Sequence, residues 1–134
     1  MKTVRVVIEM AKDGRYSAYM PGDEVDYSVI GTGSSIEEAV ADFNAGYEEM
    51  KAYCAEEGEP FEEAEFSFSY DIASFLSYYK DRLSLAGLQR VTGVAQGQLS
   101  HYLTGRSKPS KKTVEKMQTA IKSFAEELGR VHLV

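Results

Sequence analysis

The sequence predicts an α+β protein in two parts, a β-β-β-α-β unit over residues 1–70 and an all-helical unit over residues 71–134. Three observations predict it. The first part opens and closes on period-two alternation, with one long amphipathic stretch between. The second part contains only helical spacings, punctuated by serine caps and glycine stops. The charge also changes sign at the join. Residues 1–70 carry sixteen acids against five bases, a net −11, whereas residues 71–134 carry five acids against ten bases, a net +5.

Val4, Val6, Ile8 and Met10 alternate along residues 3–11, the first strand. Lys12-Asp13-Gly14-Arg15 is a hairpin turn, with glycine for the positive φ. Tyr16 to Met20 returns as the second strand, and Pro21-Gly22 breaks it. After the acidic loop Asp23 to Asp26, Tyr27 to Thr32 is expected as the third strand. Ser35 and Glu38 form a capping box for a helix whose stripe runs Ile36, Ala39, Val40, Phe43, Tyr47 and Met50, ending near Tyr53. The loop Glu56 to Glu63 is acidic and contains Gly58 and Pro60. Phe66, Phe68 and Tyr70 then alternate with Ser67 and Ser69, the fourth strand.

In the second part, Asp71 starts a helix with Ile72, Phe75, Leu76 and Tyr79 as its inward stripe. Ser84 caps the next helix, Leu85 to Thr92, and Gly93 stops it in a left-handed conformation. A short helix begins at Gln96, packs through Leu99, Tyr102 and Leu103, and stops at Gly105. Arg106-Ser107-Lys108-Pro109 leaves as a basic loop, and Ser110 caps a long helix from Lys111 to Leu128, ended by Gly129. Its Val114, Met117, Ile121, Phe124 and Leu128 recur at spacings of three, four, three and four. That spacing suits a coiled-coil seam between copies or the closing of its own core. Both stay open. The apolar segment Val131-His132-Leu133-Val134 is expected as a short strand.

Two helices joined by a tight glycine turn hold the second helix where its first residues can enter a major groove. Gln96, Gln98 and His101 are the candidates for base edges, since glutamine can donate and accept at once against adenine. Ser100 and Thr104 complete that set. Arg106, Lys108, Lys111 and Lys112 are the candidate phosphate contacts. Lys111 and Lys112 are informative because cations at a helix N-terminus oppose its dipole, by ~0.3–1 kcal/mol each. A bound phosphate reverses that sign.

Leu88, Thr92-Gly93-Val94, Gln96, Leu99-Ser100, Tyr102-Leu103, Gly105 and Lys108-Pro109-Ser110 resemble the phage-repressor (Cro-like) helix-turn-helix family over residues 71–128. Three positions depart from it. Gln89 stands for the usual alanine near the helix crossing, Ala95 for the usual Ser or Thr cap, and Leu85 for a phosphate-clamping Gln. These departures imply weak binding per subunit, raised by oligomerisation. In the first part, the element order with Gly33-Ser-Ser35-Ile-Glu-Glu38-Ala39, Tyr16-Ser-Ala18 and Met20-Pro21-Gly22 resembles the HicB antitoxin family. That resemblance implies a partial ribonuclease-H-like fold without catalysis, which sequesters a small basic ribonuclease toxin, HicA. The family's Pro-Gly-Cys-like element is absent here, replaced by acids.

Active ribonuclease-H-like enzymes gather carboxylates on two metal ions, and Glu9, Glu48 and Glu65 are the residues that could be nominated. Acids are too abundant here for three of them to signify. No Cys/His metal cluster, phosphate-binding glycine loop or Ser-His-Asp arrangement is present, so no metal, no cofactor and no enzyme activity are expected. Cys54, the one cysteine, reads as packing and His132 as exposed. The start, MKTVRVVIEM, has no uninterrupted apolar run, and no segment reaches membrane-spanning length. A cytoplasmic protein is expected. The expected function is that of an antitoxin and transcriptional autoregulator. Its partners are a double-stranded DNA operator and a basic HicA-like toxin, and it acts as a homodimer or higher oligomer. The alternatives are a small-molecule-sensing repressor with an N-terminal effector domain, and a DNA-binding protein whose first part only oligomerises.

Overall fold

The computed structural model describes residues 1–134. It is an α+β chain of four strands and five helices: β1 (Lys2–Met10), β2 (Tyr16–Tyr19), β3 (Ile30–Gly33), α1 (Ile36–Glu57), β4 (Ala64–Tyr70), α2 (Ile72–Tyr79), α3 (Leu85–Thr92), α4 (Gln96–Leu103) and α5 (Lys111–Gly129). Two compact units divide it, Met1–Ser74 and Phe75–Val134. No helix is long and apolar enough to cross a membrane.

In the first unit the sheet order is β3-β2-β1-β4. β1 pairs antiparallel with β2, with Val7 opposite Tyr19, and parallel with β4, with Val6 opposite Phe68. A parallel neighbour requires a crossover, and α1 supplies it. Val4, Val6, Ile8 and Ala18 are fully buried on the face that α1 covers, together with Ala39 and Phe43 of the helix. Phe43 meets Phe66 edge-on at 4.9 Å and Phe68 at 6.1 Å. Burial of one such ring contributes roughly 1.5–3 kcal/mol.

α1 lies almost in contact with the backbone of β3. A Cβ on Gly31 would stand 2.3 Å from the Ala39 carbonyl oxygen and 2.4 Å from the Phe43 nitrogen. Only glycine lets helix and strand approach so closely. The capping box of α1 is also displaced by one residue. Ser35 Oγ accepts from the Glu38 N–H at 3.1 Å, but the Glu38 carboxylate accepts from the Ser34 N–H and hydroxyl at 2.7 and 2.6 Å. The Ser34 hydroxyl and N–H hold that carboxyl below its usual range.

Three expectations about elements are corrected. The third strand starts at Ile30 rather than Tyr27, because its partner β2 stops before Pro21, which has no N–H to offer. Tyr27 and Val29 still serve the core: Val29 is buried, and Tyr27 stacks on Phe61 at 4.7 Å. Burial pushes the Tyr27 hydroxyl up to about 12, and it donates to the Glu62 carbonyl at 2.7 Å. α1 runs on past Tyr53 to Glu57 and is capped by Gly58 in the left-handed region. Val131–Val134 forms no strand; it is irregular and exposed.

Asp71 closes the first unit's sheet. Its N–H donates to the Ile8 carbonyl at 3.0 Å and its carboxylate accepts from the Met10 N–H at 3.2 Å. The other carboxylate oxygen caps α2 through the Ser74 N–H at 2.8 Å.

In the second unit Leu76, Leu88, Val94, Leu99, Tyr102 and Met117 are buried and form its core. Of the α5 stripe only Met117 is fully enclosed. Ile121 and Phe124 are half-buried, whereas Val114 is 37% and Leu128 58% exposed.

Candidate nucleic-acid interface

α3 and α4 are joined by three residues, Gly93, Val94 and Ala95, and each has a task. Gly93 adopts φ +76° and its N–H closes α3 on the Gln89 carbonyl. The Thr92 side chain is buried under the turn, donating to the Leu88 carbonyl at 2.7 Å and accepting from the Val94 N–H at 3.2 Å. Val94 is buried against the core. The connection is therefore held at fixed geometry, and α4 with it.

Ala95 offers α4 no side-chain cap. Gln89 does so instead: its Oε1 accepts from the Gln96 N–H at 2.7 Å across the turn. The two departures from the repressor pattern, Gln89 and Ala95, thus compensate one another. Replacing Gln89 with alanine is expected to lower the stability of this unit by about 1 kcal/mol, as other cap deletions do, measured by urea unfolding. A neutral result would mean that the bond contributes nothing.

The first turn of α4 presents its polar side chains outward. Gln96 and Gln98 are exposed, while Leu99 and Tyr102 face the core. The Gln98 Nε2 donates to Ser107 Oγ at 3.1 Å, which ties the start of α4 to the basic loop. His101 and Ser100 are only half-exposed. Thr104 is exposed, but its hydroxyl returns to the Ser100 and His101 carbonyls at 3.2 and 3.3 Å. The outward polar surface of α4 is narrower than the sequence suggests and centres on the two glutamines.

The cations follow at once. The Arg106 N–H donates to the His101 carbonyl at 2.9 Å, so the loop leaves α4 in a defined direction. Arg106, Lys108, Lys111 and Lys112 are all exposed. The chain's ion pairs, Lys2–Glu62 and Lys51–Glu63, lie in the other unit, so none of these four cations is neutralised by a carboxylate. Ser110 caps α5 through the Thr113 N–H at 3.2 Å, placing Lys111 and Lys112 in its first turn. Sequence reasoning passed over Lys116. Its ammonium stands 3.5 Å from where a Cβ on Gly93 would be, beside the turn that introduces α4. One helical turn beyond Lys112 on α5, it could have been found from spacing alone. It also lines, with Arg90, Val91, Lys112, Ala120 and Phe124, a shallow groove of about 820 Å³ between α3 and α5.

Glu9, Glu48 and Glu65 sit on β1, α1 and β4. No three His, Cys, Asp or Glu side chains converge as a metal would require. The Glu9 carboxylate accepts from the Tyr19 hydroxyl at 2.7 Å, and that bond raises the tyrosine's ordinary value. Cys54 is half-buried and unpaired with another cysteine.

No family model, curated protein or solved structure matches this chain. The functional reading therefore rests on the residues themselves.

Proposed function

We propose that this protein binds two partners of opposite charge, as the antitoxin and autoregulator of a toxin–antitoxin pair. The acidic unit, of the partial ribonuclease-H-like HicB type, holds a small basic ribonuclease toxin. The basic helix-turn-helix unit reads an operator. The observation that carries this reading is the α4 start, where two exposed glutamines on a rigidly held helix are followed directly by four unneutralised cations. Glutamine amides supply base readout, and the cations supply the sequence-independent grip.

The protein works in this reading as a homodimer or higher oligomer. The α5 stripe supports that, since Val114 and Leu128 stay exposed at its two ends. A dimer would place its half-sites about one helical turn, ~34 Å, or a multiple apart.

Gln98→Ala is expected to weaken binding to a selected operator by about 5–150-fold, the worth of a good bidentate pair at ~1–3 kcal/mol, while binding to random duplex is retained. Fluorescence anisotropy on both duplexes makes the comparison. Equal loss on both would remove Gln98 from base readout and leave it as a brace for the Ser107 loop. Co-purification with the neighbouring gene's product tests the other half: a short basic protein is expected.

A further inference from the structure

The two edges of the sheet are treated very differently. β3 is four residues long, two of them glycine, and lies under α1. Its outward Thr32 N–H is already taken by the Asp42 carboxylate at 2.8 Å. Such devices close an edge to further pairing. β4 has such a device only at its first residue, where the Ala64 N–H donates to the Tyr47 hydroxyl at 3.1 Å. It runs seven residues, AEFSFSY, with no proline, lysine or glycine, and β1 is its one strand neighbour.

The direction of its free groups follows from alternation. Asp71 N–H donates to the Ile8 carbonyl, so Ser69, Ser67 and Glu65 turn their backbone groups towards β1 in the same way. Phe66 and Phe68 turn theirs outward. Their rings meanwhile pack on Phe43 beneath α1, which keeps the strand in place while its edge stays open. Acids outnumber bases around that edge: Glu59, Glu62, Glu63 and Glu65 are all exposed on or just before the strand. Lys2 and Lys51 pair with Glu62 and Glu63, whereas Glu59 and Glu65 have no such partner.

We propose that the outer edge of β4 is the docking strand for a basic, extended segment of a partner polypeptide, which adds to the sheet as a fifth strand. Main-chain bonds to Phe66 and Phe68 supply the affinity, and alternate side chains read the partner. Acids along the approach select lysine- or arginine-bearing strands. They also disfavour a second copy of this chain, whose own β4 would bring the same carboxylates against them. This inference rests on the proposal that the first unit holds a basic protein, and it names the surface and the mode.

The test uses the full-length protein, isotope-labelled, and a capped heptapeptide alternating lysine and valine. At saturation the peptide is expected to slow amide exchange at Phe66 and Phe68 at least tenfold and to leave Thr32 unchanged. Two analogues, N-methylated on the lysine set or on the valine set, keep the charge and each block one edge of the peptide. One of the two is expected to bind at least tenfold more weakly, because only one set faces β4. A glutamate–valine peptide is expected not to bind. Equal binding of both analogues, or unchanged exchange at Phe66 and Phe68, overturns strand addition. If a basic protein co-purifies with the chain and still leaves those two amides unprotected, strand addition fails while the two-partner function stands. Absence of any basic partner in the cell would count against that function, whatever the peptides do.

Discussion

Alanine at position 31 is expected to destabilise the Met1–Ser74 unit by about 3 kcal/mol, the upper end of what overpacking costs. Most added methyl groups are accommodated by a side chain that swings aside. Here the nearest atoms are the Ala39 carbonyl oxygen at 2.3 Å and the Phe43 nitrogen at 2.4 Å, both in the backbone of α1. The helix itself must lift. Lifting it loosens Phe43, which is fully buried and joins the helix to Phe66 and Phe68 of β4. Urea unfolding followed by circular dichroism measures the loss. A change under about 1 kcal/mol would show that α1 can move away from β3 without disturbing the core. Gly33→Ala is expected to cost less. Its closest contact, at 2.4 Å, is the Cβ of the exposed Glu38, although the Ala39 nitrogen at 2.7 Å also resists.

That close approach was not legible in the sequence. Gly31 and Gly33 lie in a stretch whose alternation marks a strand, and alternation says nothing of what rests on the strand. The strands and caps themselves were legible, because period two, the hairpin at Gly14 and the serines at 35, 84 and 110 are local signals. The misplaced boundaries have local reasons too. Tyr27 and Val29 are apolar and alternate, so they read as strand. They pack inward from an irregular segment because β2 has already ended opposite them. α1 outran its apolar stripe because Ala52, Ala55, Glu56 and Glu57 are good helix formers that need no core to support them. A stripe records where a helix is buried, and a helix can continue where it is exposed.

The interface shows the same limit from another side. Gln89 and Ala95 were legible as separate departures, one on α3 and one before α4. A helical projection assigns each side chain to its own helix and cannot place Gln89 Oε1 on the Gln96 N–H of the next. Likewise Gln98 was legible as exposed, but its bond to Ser107 was not. That bond couples the proposed base-reading position to the loop carrying Arg106 and Lys108. The sequence separated specificity from grip more cleanly than the structure does.

Replacing Lys111 and Lys112 together with alanine is expected to move binding and stability in opposite directions. Both residues lie in the first turn of α5, just after its Ser110 cap. Their charges oppose the positive end of that helix, at roughly 0.3–1 kcal/mol each. Without DNA the double variant should therefore be more stable, by about 0.5–2 kcal/mol. With DNA, two of the proposed phosphate contacts disappear. Affinity should fall for selected and random duplexes alike, and the slope of log affinity against log salt should shrink by about two. Across a fourfold range of salt, that change in slope alone alters the ratio of wild-type to variant affinity about tenfold. Charge that merely keeps the protein in solution predicts neither the integer change in slope nor its independence of sequence. A variant that is stabilised but keeps the full salt slope would place the phosphates elsewhere, with Arg106 and Lys108 as the cations left to hold them. Loss confined to the selected duplex would instead make the two lysines readers of sequence, a role their point charges on flexible stems suit poorly.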